Sequence, residues 1–99
     1  IKFSKLYYIE AADNYVNIYY ENKGKITRFL LRKSLKSIED TYKDYPLIRC
    51  HRSFIINIEK VKVLKKEKDG TYLDFDYGDI NVIPVSKTYS QNIIDIFYK

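Results

Sequence analysis

Methionine and tryptophan are absent from this 99-residue chain, which holds one cysteine, one histidine, three glycines and two prolines. A lone cysteine cannot form an internal disulfide, which fits a reducing cytoplasm. Apolar runs long enough for a membrane span or a secretory signal are also missing. The length suits a single domain with one modest core. We therefore expect residues 1–99 to be one cytoplasmic domain, excised from a longer protein that carries the missing methionine.

The scarcity of reactive side chains argues against enzymatic chemistry. Cys50 and His51 are adjacent, and neighbours on an extended strand point to opposite faces, so they do not form a thiolate–imidazole pair. One cysteine and one histidine are too few for a structural zinc site. The three glycines fall in separate turns, which excludes a glycine-rich phosphate loop. We expect no catalytic residues, no metal and no cofactor.

Charged residues are abundant, and the positive charge is unevenly distributed along the sequence. The net charge is +5, and residues 1–33 carry seven Lys or Arg against three Asp or Glu, a local charge of +4. A basic surface of this kind is typical of proteins that bind polyanions. A lysine-rich surface that only keeps the domain soluble explains the same charge equally well.

Short strand patterns with turn residues between them predict a mainly β fold. The Asp13-Asn14 and Asp69-Gly70 pairs are typical turn sequences between strands. Leu35, Ile38 and Tyr42 follow helical spacing after Ser34, a predicted N-cap. From Ser86 onward the spacing is helical again. The predicted strands include the runs "LYYIEA", "YVNIYY", "ITRFLL", "TYLDFD" and "INVIPV".

The stretch "LIRCHRSFIIN", residues 47–57, places three basic side chains around the only cysteine. If Cys50 points inward, Arg49 and His51 point outward, and Arg52-Ser53 interrupts the alternation where a bend would fit. An arginine at such a bend can bind a base edge or a phosphate through its two-pronged guanidinium. We interpret Arg49 and His51 as mainly structural and Arg52 as mainly functional.

Four motifs resemble the LytTR family, the DNA-binding domain of many bacterial response regulators. The run "IRCHRSFIIN" resembles the family's Arg-x-His-Arg-Ser core, and "LYYIEAADNYVNIY" resembles its first motif. "LLRKSLKSIED" is similar to its helix, and "IPVSKTY" to its closing element. The order and spacing of the motifs hold over nearly the whole chain.

The resemblance implies a β-sandwich of about ten short strands, with one short inserted helix and a C-terminal helix. It also implies that DNA is bound by loops between strands, which enter successive major grooves and the minor groove between them. Lys87 stands where many relatives have arginine, so phosphate contact is expected there more than guanine recognition. Carried onto this sequence, the DNA-binding residues are Asp13, Asn14, Tyr15, His51, Arg52, Ser53, Ser86, Lys87 and Tyr89.

The resemblance further implies a transcription regulator of a two-component system. Its partner is then double-stranded DNA, in direct repeats occupied by two copies, with a receiver or other signalling domain outside this chain. Two alternatives stay open on the residues alone. One is a β domain that stacks single-stranded nucleic acid on tyrosines. The other is a protein-interaction or ligand-sensing domain, which would show no salt-dependent binding of nucleic acid.

Overall fold

The computed structural model describes residues 2–98, which form eight β-strands and two α-helices. Short 3₁₀ turns precede the first strand and follow the fifth. None of the described helices is long and apolar enough to cross a membrane. The elements are β1 (Leu6–Ala12), β2 (Tyr15–Asn22), β3 (Lys25–Leu31), α1 (Leu35–Thr41), β4 (Leu47–His51), β5 (Phe54–Asn57), β6 (Val63–Glu67), β7 (Gly70–Asp74), β8 (Ile83–Val85) and α2 (Lys87–Phe97).

The strands form two antiparallel sheets. The larger sheet has the order β3-β2-β1-β5-β4, and the smaller has the order β6-β7-β8. This mainly β architecture, with one inserted and one terminal helix, confirms the expected fold class. The described residues make eight strands, where the resemblance implied about ten. Within "INVIPV", only Ile83–Val85 pairs with a neighbouring strand.

Both faces of the five-stranded sheet are covered around its inner strands β1 and β5, whereas β3 at its edge is largely exposed. One face packs against the three-stranded sheet and α2, around Ile56, Leu73 and Ile93. The opposite face packs against α1, around Ile55 and Leu35. Successive residues on a strand point to opposite faces, so a strand with two buried faces must be apolar at every position. This requirement explains the apolar residues 54–56 of β5, which are followed by the buried Asn57.

Local sequence signals fix the turns and helix ends. Asp13 takes a positive φ of 56° in the turn between β1 and β2, and Lys23 and Gly24 take 54° and 78° between β2 and β3. Asp and Gly tolerate this left-handed backbone. The hydroxyl of Ser34 accepts a hydrogen bond from the Ser37 amide at 3.0 Å, which confirms the predicted N-cap of α1. Pro84 lies on β8, an edge strand, where its missing N–H costs no ladder bond.

Candidate nucleic-acid interface

Three loops from distant parts of the sequence lie side by side at one end of the sandwich. β1 runs antiparallel to β5, with Glu10 paired to Phe54, so the turn after β1 lies beside the turn before β5. The Ala11 amide donates to the Ser53 carbonyl at 2.9 Å, and the Ser86 amide donates to the Cys50 carbonyl at 3.0 Å. We call this end the loop edge; it comprises residues 13–15, 51–53 and 86–87. The structure thus brings together the three loops that the sequence indicated.

The first loop is exposed throughout. Asp13 and Asn14 form the two-residue turn, and Tyr15, the first residue of β2, is 39% exposed. The Arg32 guanidinium lies 6.0 Å from the centre of the Tyr15 ring, a cation–π distance. Tyr15 therefore has one face occupied by an arginine that itself reaches the loop edge.

The second loop has a rigid turn with a free arginine at its tip. The His51 Nδ1 accepts a hydrogen bond from the Ser53 amide at 3.0 Å, so Nε2 carries the proton of the neutral ring. Arg52 is exposed, and its side chain has no ion-pair partner among residues 2–98. His51 therefore shapes the turn, while the Arg52 guanidinium is available to a ligand.

Arg49 supports that turn from behind. Its side chain is only 16% exposed and pairs with Glu39 of α1. Its Nε donates to the His51 carbonyl at 2.8 Å, and its Nη2 donates to the Arg52 carbonyl at 2.6 Å. This arrangement agrees with the interpretation of Arg49 as structural.

The third loop opens helix α2. Ser86 is the N-cap residue, but its hydroxyl makes no capping hydrogen bond, and Lys87 is exposed. Tyr89 is less available to a ligand, since the Arg49 guanidinium carbon lies 6.0 Å from the centre of its ring. Of the three residues indicated here, Ser86 and Lys87 belong to the loop edge, while Tyr89 contacts the arginine behind it.

The positive charge of residues 1–33 is divided between the two ends of the sheet. Arg32 and Lys33 follow β3 directly, and the last residue of β3, Leu31, pairs with Val16 next to the first loop. Lys23 lies in the opposite turn, where the β2 and β3 ends are farthest from the loop edge. The sequence could not assign these basic residues to a face. The strand register places Arg32 and Lys33 next to the first loop of the loop edge.

The environment of Cys50 is that of a core residue. It is fully buried, and its Sγ lies 3.8 Å from the Phe54 carbonyl and 3.7 Å from the Pro84 carbonyl. Burial raises the pKa of the Cys50 thiol to about 12, so little thiolate is present at neutral pH. Within residues 2–98, no three His, Cys, Asp or Glu side chains are grouped as metal ligands would be.

Cys50 is expected to resist thiol reagents until the domain unfolds. A buried neutral thiol is neither nucleophilic nor accessible, so a disulfide reagent at pH 8 should modify it on the timescale of global unfolding. The measurement is the rate of colour release with Ellman's reagent at rising urea concentration. The fully denatured chain, measured in parallel, supplies the unprotected rate. Rapid modification of the native domain would contradict this burial.

The family model described as "LytTr DNA-binding domain" matches residues 1–97. The chain belongs to the LytTR family of DNA-binding domains. It is a DNA-binding domain, as the sequence motifs indicated.

Two relatives of the LytTR domain support the assignment. The chain is 31% identical over 86 residues to the sensory transduction protein LytT of Bacillus subtilis (strain 168). The matched region covers 87% of this chain and 34% of the relative. The chain therefore spans about a third of that protein. A solved LytTr DNA-binding domain from Bacillus cereus superposes with a TM-score of 0.72 at 28% identity, covering 97% of this chain and 84% of the other.

Proposed function

We propose that this LytTR domain binds a specific double-stranded DNA sequence through the loop edge, as the output module of a bacterial transcription regulator. The observation that carries the proposal is the exposed Arg52, which forms no ion pair within residues 2–98 and lies on a turn that hydrogen bonds hold on both sides. A rigid arginine fork can donate two hydrogen bonds to the O6 and N7 atoms of guanine in the major groove. Pre-ordering of the turn lowers the entropy lost on binding.

The neighbouring residues divide into base-reading and phosphate-binding roles. Asn14, exposed at the tip of the first loop, can donate to and accept from an adenine edge. Lys87, with the hydroxyl of Ser86, is suited to phosphate oxygens at the start of α2. Ser53 offers its hydroxyl, and His51 its Nε2–H, to the same backbone.

Phosphate contacts extend along the edge toward β3. Arg32, Lys33 and Lys87 add positive charge on both sides of Arg52, and none of them forms an ion pair within residues 2–98. Phosphate contacts supply affinity and fix the orientation of a protein on the duplex without reading sequence. Tyr15, held under Arg32, is available to support this contact or to pack on a sugar.

The assembly on DNA is also a proposal. Two copies are expected on direct repeats, brought together by a signalling domain outside this chain. The name of the relative LytT describes a sensory transduction protein, and this chain corresponds to only part of its length. A receiver domain is the proposed partner in the same polypeptide.

The change Arg52→Ala is expected to relax base preference and to weaken binding of the selected sequence about 5- to 150-fold, which corresponds to about 1–3 kcal/mol for one lost bidentate contact. The measurement is selection from a random duplex library at near-physiological salt, followed by titration of the winning sequence. Arg28→Ala is the matched control, because Arg28 is an exposed arginine of β3 away from the loop edge. It should select the same sequence as wild type.

The outcomes separate the alternatives. An equal loss for Arg52→Ala on every sequence would show that Arg52 only positions the backbone. Tighter binding of single strands than of duplex would favour the single-stranded alternative. Absence of any salt-dependent binding would favour a protein-interaction or ligand-sensing domain.

A further inference from the structure

All three nitrogen atoms of the Arg49 guanidinium have a partner, and two of them bond to the turn that carries Arg52. Nε donates to the His51 carbonyl, Nη2 donates to the Arg52 carbonyl, and Nη1 pairs with Glu39. The two carbonyls belong to the residues that form the turn, so a single planar group fixes both. A planar guanidinium presents its donors in a fixed geometry that a lysine cannot reproduce.

A β-bulge makes this contact possible. The pairing of β4 with β5 passes from Arg49 opposite Ile55 to His51 opposite Phe54, which leaves Cys50 as an extra residue in β4. Such a bulge bends its strand and interrupts the ladder locally. The carbonyls of His51 and Arg52 accept donors from the Arg49 side chain just beyond this interruption.

Two helices hold Arg49 in place. Glu39 of α1 neutralises its charge, and the Tyr89 ring of α2 lies 6.0 Å from its guanidinium carbon. The Arg49 side chain is only 16% exposed, its charge is paired with Glu39, and three of its five N–H donors are already used. We therefore expect Arg49 to affect a ligand mainly through the turn and not by direct contact.

We propose that Arg49, held by Glu39 and Tyr89, is a positioning residue that fixes the Arg52 turn in its DNA-binding conformation. Tyr89 then contributes to recognition through Arg49 and not through its own contact with DNA. The inference rests on the proposed function of Arg52. It assigns Arg49 of β4, Glu39 of α1 and Tyr89 of α2 to one set of contacts that supports the base-reading side chain.

The test compares matched changes on the same helix. Glu39→Gln removes the charge that holds Arg49, whereas Asp40→Asn removes an equal charge from the exposed ion pair between Lys36 and Asp40. Glu39→Gln should lower affinity for the selected duplex about three- to tenfold, the scale of a side chain that must be ordered on binding. Asp40→Asn should leave it unchanged.

Changes at Arg49 and Tyr89 separate positioning from direct contact. Arg49→Lys keeps the charge but loses the fork, so it should reduce preference for the selected sequence while the salt dependence of non-specific binding stays as in wild type. Tyr89→Phe keeps the ring under the guanidinium and should behave as wild type, whereas Tyr89→Leu should resemble Glu39→Gln. Thermal unfolding of each variant identifies losses caused by instability.

A spectroscopic readout reports on the turn itself. In ¹⁵N relaxation experiments on the free domain, the Arg52 and Ser53 amides should become more mobile in Glu39→Gln and stay rigid in Asp40→Asn. Loss of duplex binding in Tyr89→Phe would overturn the inference, since it would show that the hydroxyl contacts DNA. Selectivity equal to that of wild type in both Arg49→Lys and Glu39→Gln would also overturn the inference. A wild-type domain that selects no sequence would instead overturn the proposed function.

Discussion

Phe75→Ala is expected to lower the free energy of unfolding by about 3–5 kcal/mol, the usual cost of deleting a fully buried phenyl ring. Phe75 is 1% exposed and lies between the two sheets. Its ring meets Tyr7 edge-on at 5.5 Å and stacks with Tyr8 at 5.9 Å. Removing it leaves a cavity where the small sheet joins the large one. Urea denaturation followed by circular dichroism measures the change.

Phe29→Ala is the matched control for this loss. Phe29 of β3 is 46% exposed, so about half of its apolar area is already in water. The same deletion there should cost about 1 kcal/mol, in proportion to the area removed from burial. Equal losses at the two positions would show that the contact between the sheets contributes little to stability.

Asn57→Leu is expected to lower the free energy of unfolding by about 2–5 kcal/mol, because it leaves one buried and one partly buried backbone group without a hydrogen-bond partner, at about 1–3 kcal/mol each. Asn57 is 1% exposed, and its Nδ2 donates to the Leu6 carbonyl at 2.8 Å. Its Oδ1 accepts from the Glu59 amide at 3.1 Å. These backbone groups lie where the ladder between β1 and β5 has ended, at Tyr8 paired with Ile56. A leucine would fill the space and satisfy neither group.

The exposed asparagine Asn81 offers a comparison, since Asn81→Leu should change stability by less than about 0.5 kcal/mol. Hydrogen exchange adds a local measurement for the Asn57 variant: amides at the start of β1 should lose protection before those in β2. A neutral result for Asn57→Leu would mean that water or backbone shifts replace the lost hydrogen bonds.

Signals that act over a few residues predicted the fold well. The turn at Asp13 and Asn14, the N-cap at Ser34 and the helix that follows Ser86 are all present, because each depends on neighbouring residues. The burial of Cys50 could also be predicted, from the alternation of β4. The family motifs then supplied the identity that local patterns cannot give.

Interactions between residues distant in the sequence could not be predicted from local patterns. The ion pair between Arg49 and Glu39 and the contact of Arg49 with Tyr89 depend on how α1 and α2 pack against β4. The bulge at Cys50 also changes which side chains face each other after it. For the same reason, the alternation rule could place Arg49 outside the core but could not identify its partners. Asn57 gave no signal, since an asparagine that ends an apolar strand is typical of a turn.

The turn of Arg52 and Ser53 has a consequence for engineering the binding preference of this domain. It is a two-residue connection between β4 and β5, and the Ser53 carbonyl is also bonded to the neighbouring strand β1. Inserted residues would break the bonds to Ala11 and Arg49 at once. If Arg52 and Asn14 read bases as proposed, new target sequences should be sought by exchanging these single side chains on an unchanged backbone, and libraries of lengthened loops should yield few folded binders.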